Sequence, residues 1–295
     1  MLHIRGFADG PLTPGVSYAV SCLGLFLGLR CAARALACSG AMRGRWLLLA
    51  GVSIGSIGIW AMDVVAMLGF AIPGETSRYH VPVAIASLLA AVGTASAGLL
   101  IVGLGRAGGG SLALGGVVTG LGWGAAHYLE LAAMRMPGKV TYDPLLLTLS
   151  VVITVVAATA TITAAPRTHG IVNALGASLL LAIGVCAGHY AGMAAVRVYQ
   201  ASGPAGLALG GAGTASLDSF LPPVTVGVAI VAFLVGAAIA LSPNEDAIRY
   251  DAALLDHIRR RTETPLDAGT LGRPPPRRGH PPWAHRQSRH RSGLR

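Results

Sequence analysis

The sequence predicts an all-α integral membrane protein of seven transmembrane helices, three repeated helix pairs plus one N-terminal helix. Three observations predict it. Only 12% of the 295 residues are charged and the mean hydropathy is +0.64, where a soluble domain carries about 25% charge. Apolar runs of about 20 residues, the length that crosses a bilayer, recur through the first 242 positions. A polar motif also returns at even intervals inside those runs: Asp63, His127 and His189 are 64 and 62 residues apart.

The elements follow in order. The first span, Val16 to Ala37, has only Arg5 ahead of it and ends in Arg30 and Arg34, which can snorkel from its end, so it reads as a retained helix and not a cleaved signal peptide. It holds Cys22 and Cys31, with Cys38 just beyond; these and Cys186 read as small buried residues, since no pair suits an extracytoplasmic disulfide. Trp46 to Ile72 carries Trp60-Ala61-Met62-Asp63, and Val81 to Leu104 returns from it. Leu112 to Met134 carries His127-Tyr128 and is followed by Leu145 to Ala165. Ile171 to Val198 carries His189-Tyr190 and is followed by Leu221 to Leu241. Frequent Ala, Gly and Thr suit close helix packing in lipid.

Basic residues set the orientation, because Lys and Arg stay on the cytoplasmic side. Arg43, Arg45, Arg106, Arg167 and the tail fall on one side; Arg78, Arg135, Lys139 and Arg197, partly offset by Glu75, Asp143 and Asp218, fall on the other. Residues 1–13 are therefore placed outside, 14–242 in the membrane and 243–295 in the cytoplasm. The net charge of +10 does not indicate nucleic acid, because eleven of the 22 basic residues lie after Leu241, in a tail rich in Pro, Arg and His. That composition reads as largely disordered. Its first part, with Ile248, Ala252, Leu255 and Ile258 near helical spacing, suits a short helix on anionic lipid.

Within each pair, positions three, four and seven apart share a helix face. Asp63 stacks with Met67, His127 with Glu130 and Met134, and His189 with Met193. Ionisable groups inside a membrane are costly and mark function. Imidazole with thioether favours copper. The candidate metal ligands are thus His127, His189, Met193, Met134, Met67 and Asp63. Two other classes fit the same residues: a haem-binding cytochrome with His127 and His189 as axial ligands, and a small transporter titrating Asp63 and Glu130. No enzyme is expected, since no Ser or Cys stands beside a base in a recognisable elbow, and Gly108-Gly109-Gly110 lacks the Lys of a phosphate loop.

Gly58-Ile59-Trp60-Ala61-Met62-Asp63-Val64-Val65-Ala66-Met67-Leu68, Ala126-His127-Tyr128-Leu129 and Gly188-His189-Tyr190-Ala191-Gly192-Met193-Ala194-Ala195 resemble the repeats of the MHYT domain, a bacterial integral membrane sensor named for its Met-His-Tyr-Thr motif. The resemblance covers about residues 14–242. It implies seven helices in the bacterial cytoplasmic membrane, motif residues near the outer face, and a sensory role in which copper or another metal binds a diatomic gas. The sequence departs from the pattern at Asp63, where the family has histidine, at Ala126 and Gly188, where it has methionine, and at Glu130-Leu131, where it has Gly-Met. The added carboxylates move the donor set from Cu(I) toward Cu(II), zinc or iron. Family members often continue into cytoplasmic output domains; the roughly fifty residues after the last helix are too few for one, so signalling is expected to pass through a separate cytoplasmic partner.

Overall fold

The structure, a computed structural model, describes residues 5–6, 12–71, 78–105, 108–135, 139–199, 213–242, 250, 253–255 and 257–260. Two compact units divide the chain, residues 1–249 and 250–295. In the second, the described residues 250, 253–255 and 257–260 are helical and exposed; Ile248, Ala252 and most of the tail arginines lie outside the described residues.

The first unit is built of long helices. Among the described residues, six helical segments are long and apolar enough to cross a membrane: α1 (Leu12–Ala37), the composite rod of α2 (Gly40–Val52), a π-helical segment (Ser53–Ala61) and α3 (Met62–Leu68), then α4 (Val81–Leu104), α6 (Pro144–Ala164), α7 (Ile171–Ala195) and, within α8 (Leu217–Leu241), the stretch from Ser219. The remaining long helix, α5 (Gly109–Ala133), matches them in length but is rich in Gly and carries His127 and Glu130, so it is less apolar. The chain is thus an all-α, multi-pass membrane protein.

Local sequence explains the helix starts. Pro82 and Pro144 occupy first-turn positions of α4 and α6, where a missing N–H costs nothing. Asp143 caps α6, its carboxylate accepting from the Leu145 and Leu146 amides at 3.0 and 3.2 Å. Small residues set the packing. A Cβ at Gly24 on α1 would collide with the backbone of Ile57 and Gly58 in the π-helical segment, so the two backbones touch where the rod widens. Ser53 Oγ donates across the same seam to Gly24 O at 3.0 Å.

The helix pairs are not all alike. The rod packs on α4, and α5 on α6, as neighbours joined by one loop would. By contrast α7 packs on α6 and α1, and α8 lies against the π-helical segment and α1. The N-terminal helix is therefore an internal packing partner and not an appendage. Arg30 and Arg34 are buried instead of snorkelling: Arg34 Nη2 donates to Ile239 O of α8 at 2.8 Å and its guanidinium lies 5.7 Å from the Trp46 ring centroid, a cation at a helix C-terminus. All four cysteines are free, Cys31 and Cys186 buried and Cys22 and Cys38 half-buried.

Short strands join the loops at the end of the bundle that bears the motifs, and the hydropathy pattern gave no sign of them. They are β1 (Arg5–Gly6), β2 (Phe70–Ala71), β3 (Arg78–His80), β4 (Met134–Arg135), β5 (Lys139–Tyr142), β6 (Val196–Tyr199) and β7 (Thr214–Ser216). All pairings are antiparallel: β1 with β2, β3 with both β4 and β7, and β5 with β6 in the register Lys139 to Tyr199 and Tyr142 to Val196.

Candidate metal centre

Asp63 lies in the first turn of α3, directly after the π-helical segment, and such segments recur at functional sites. His127 comes from the last two turns of α5 and His189 from those of α7. All three are buried, at 3, 7 and 3% exposure. The Asp63 carboxylate bridges the two imidazoles: Oδ2 lies 3.1 Å from His127 Nδ1, and Oδ1 lies 2.7 Å from His189 Nδ1. The rings meet edge to face with centroids 4.9 Å apart. With the carboxylate as acceptor, each Nδ1–H donates to it, which leaves the Nε2 lone pairs facing the protein. Both Nε2 atoms are buried without a hydrogen-bond partner, a state that buried polar atoms rarely keep.

Asp63, His127 and His189 are the one group of His, Cys, Asp and Glu ligand atoms gathered closely enough for a common ion among the described residues, all within 4.8 Å of one another. A cavity of about 20 Å³ lies beside them, lined by Ile59, Trp123, Thr154, Ala157 and Val185 together with the three. That is room for about one water-sized occupant. Trp123 precedes His127 by one turn, and its Nε1 is buried and unbonded.

The aromatic residue of each motif points away from the centre and ties its helix to a neighbour. Trp60 Nε1 donates to Ser87 Oγ of α4 at 2.9 Å, Tyr128 Oη pairs with Ser150 Oγ of α6 at 2.6 Å, and Tyr190 Oη pairs with Ser17 Oγ of α1 at 3.3 Å. One motif thus does two jobs, an inward ligand and an outward anchor.

The methionines sit differently. Met67 and Met193 are buried in a small apolar cluster with Leu131, Val196 and Val198, one turn beyond Asp63 and His189. Met134 opens β4 instead of continuing α5, opposite Tyr79 of β3, and belongs to the main core. Glu130, one turn past His127, is 1% exposed with neither oxygen hydrogen-bonded. Burial first, and the Glu130 charge second, push the phenol of Tyr79 in β3 above its ordinary value.

Gly192 lies within the third motif, on the face of α7 that meets α5. A Cβ there would stand 2.5 Å from His127 Nε2 and 2.9 Å from its Cδ2, so the ring of α5 rests on the backbone of α7. Gly192→Ala is expected to push His127 off Asp63, at a cost of about 1–3 kcal/mol, read as a lower unfolding temperature of the detergent-solubilised protein. An unchanged transition would place the ring elsewhere.

Comparison with known proteins follows the same residues. A family model described as MHYT, bacterial signalling protein N terminal repeat, matches residues 57–116 and 120–178; the motif at His189 lies beyond them. The bifunctional diguanylate cyclase/cyclic di-GMP phosphodiesterase MucR of Pseudomonas aeruginosa is 31% identical over 230 residues, covering 76% of this chain and 33% of that protein. The cyclic di-GMP phosphodiesterase NbdA of the same organism is 38% identical over 170 residues, 56% of this chain and 21% of that one. An uncharacterized signaling protein of Caulobacter vibrioides is 30% identical over 183 residues, 62% of this chain and 22% of that one. The chain spans a third or less of the length of these relatives. No solved structure matches it. The matched repeats are a non-catalytic sensor module, and residues 57–178, which supply Asp63 and His127, therefore carry an MHYT-family domain of the bacterial integral-membrane sensor type.

Proposed function

We propose that the protein is a membrane-embedded sensor whose signal is read at a metal ion, copper first, held principally by His127 and His189, with Asp63 orienting both rings and Met67 and Met193 as supporting ligands. The observation that carries this reading is the single carboxylate bridging two buried imidazoles whose other nitrogens are unbonded. Carboxylate-oriented histidine is the usual surrounding of a protein metal ion. The three ligand atoms lie within 4.8 Å of one another, somewhat wider than the about 4.2 Å that two ligands at about 2.1 Å allow, so binding would draw them slightly together. An oxygen and two nitrogens suit a borderline ion, and at such sites divalent copper binds most tightly of the first-row series, ahead of zinc and iron. A copper ion would supply a one-electron couple and an open position for a diatomic gas. Asp63 fixes the ring orientation, Trp123 and Ile59 keep the cavity small, and Glu130 adds a buried carboxyl one turn away.

The reading includes α5 as a seventh span, the centre near the outer face with the N-terminus outside and the C-terminus in the cytoplasm, and output through a separate cytoplasmic partner. The named activities of MucR and NbdA favour a partner in cyclic di-GMP turnover. Elemental mass spectrometry on detergent-purified protein tests the centre: near-stoichiometric copper, zinc or iron is expected in the wild type and none in His127→Ala/His189→Ala. Metal-free wild-type protein would remove the proposal.

The haem alternative fits poorly, because the cavity is about 20 Å³ and both Nδ1 atoms turn to one carboxylate. Proton-coupled transport is favoured by one observation, the unbonded Glu130 carboxyl. Solute flux in proteoliposomes that disappears in Asp63→Asn would establish it over sensing.

A further inference from the structure

At the end of the bundle away from the metal centre, where α1 and α6 finish and α2 and α5 begin, the first unit forms a partly open cavity of about 460 Å³. Its size falls in the range of small-molecule sites, about 300–1,000 Å³. The walls are aliphatic, with Leu36, Leu47, Leu99, Leu112 and Ile162 prominent. Two cations stand among them, Arg43 at the start of α2 and Arg167 just past α6, and no acidic side chain is among the described lining residues. Arg43 Nε is buried and has no hydrogen-bond partner. The Arg167 guanidinium donates through Nη1 to Thr163 O at 2.6 Å, which holds the side chain along its own helix and leaves its other donors available. Gly108 and Gly109, at the start of α5, complete the lining, and helix N-termini favour anions.

An apolar chamber with two guanidiniums has the chemistry of an amphiphile site: a chain takes the aliphatic volume and an anionic head takes the arginines. A free polar anion would leave the aliphatic walls without a partner, and a neutral lipid would leave the cations without one. We infer that this cavity binds one acidic phospholipid from the surrounding membrane, its phosphate between Arg43 and Arg167 and one acyl chain against Leu47, Leu99 and Ile162. The proposal is independent of the metal centre, since none of the lining residues belongs to it.

Native mass spectrometry of the full chain released from nanodiscs of equal phosphatidylglycerol and phosphatidylcholine tests it. The wild type is expected to retain about one phosphatidylglycerol per chain in preference to phosphatidylcholine. Arg43→Gln/Arg167→Gln is expected to weaken that preference about tenfold or more, while Arg43→Lys/Arg167→Lys retains most of it. Leu112→Trp, which fills the chamber while leaving both cations, is expected to lose the retained lipid. Equal retention of the two lipids by the wild type, unchanged selectivity in the glutamine variant, or full displacement by soluble glycerol 3-phosphate would each overturn the inference. A glutamine variant with an unchanged unfolding temperature and lost selectivity separates loss of the site from loss of the fold.

Discussion

Asp63→Asn is expected to lower metal affinity about 10- to 100-fold, the usual cost of removing a group that orients ligating histidines. An amide carbonyl accepts from one Nδ1–H only, and its NH2 group faces the other imidazole, 2.7 or 3.1 Å away. That ring must then accept at Nδ1 and carry its proton on Nε2, which removes a lone pair from the centre. Asp63→Ala goes further. Two imidazoles that stay buried lose their partner, and each unsatisfied group costs about 1–3 kcal/mol. Elemental mass spectrometry and thermal unfolding of both variants read the two effects separately. Wild-type metal content in Asp63→Asn would show that the carboxylate is a packing group.

Gly24→Ala is expected to be among the most destabilising single-methyl additions in the chain. At Gly28 and Gly103 the nearest atoms to an added methyl belong to the Ile54 and Leu47 side chains; at Gly24, as at Gly55, it meets backbone, here that of Ile57 and Gly58, in a segment that is 3% exposed or less at Ile57 and Ile59. Separating α1 from the π-helical segment also breaks the bond from Ser53 Oγ to Gly24 O. Overpacking costs about 1–3 kcal/mol, and a lost buried hydrogen bond adds about 1 kcal/mol. Asp63 follows the segment by two residues, so the same variant is expected to lose metal along with stability. Thermal unfolding with metal analysis checks both; a stable, metal-replete Gly24→Ala protein would mean the helices separate freely.

Much of the centre was legible before any coordinates, because polar residues within apolar spans are few and their spacing repeated. Asp63, His127 and His189 were picked out by that recurrence, and the structure brings them together. What periodicity did not show was the direction of each side chain. His127 and Met134 share a face only while the helix continues, and α5 gives way to strand at Met134. Trp123 lies four residues before His127 on the same face, but a Trp within an apolar span carries no sequence signal of its own. Gly192 was legible as a letter of the motif, but its contact with His127 joins two helices far apart in sequence. The place of α1 against α7 is likewise a tertiary fact, as is the burial of Arg30 and Arg34. Short loop strands have no hydropathy signature when they are two to four residues long.

Those strands connect in a way that matters for how the molecule moves. The loop after α3 pairs with the loop after α5 through β3 and β4, that loop pairs with the one after α7 through β5 and β6, and the last returns to the first through β7 and β3. The three connections close on themselves like a hoop around the rim of a barrel. The two histidine-bearing helices, α5 and α7, pass directly into this hoop at Met134 and Val196, seven residues beyond His127 and His189, so the rim cannot open at either without straining the other. A bundle tied at one rim leaves its far helix ends freer to shift, held there at α1 and α8 by the bond from Arg34 to Ile239 O.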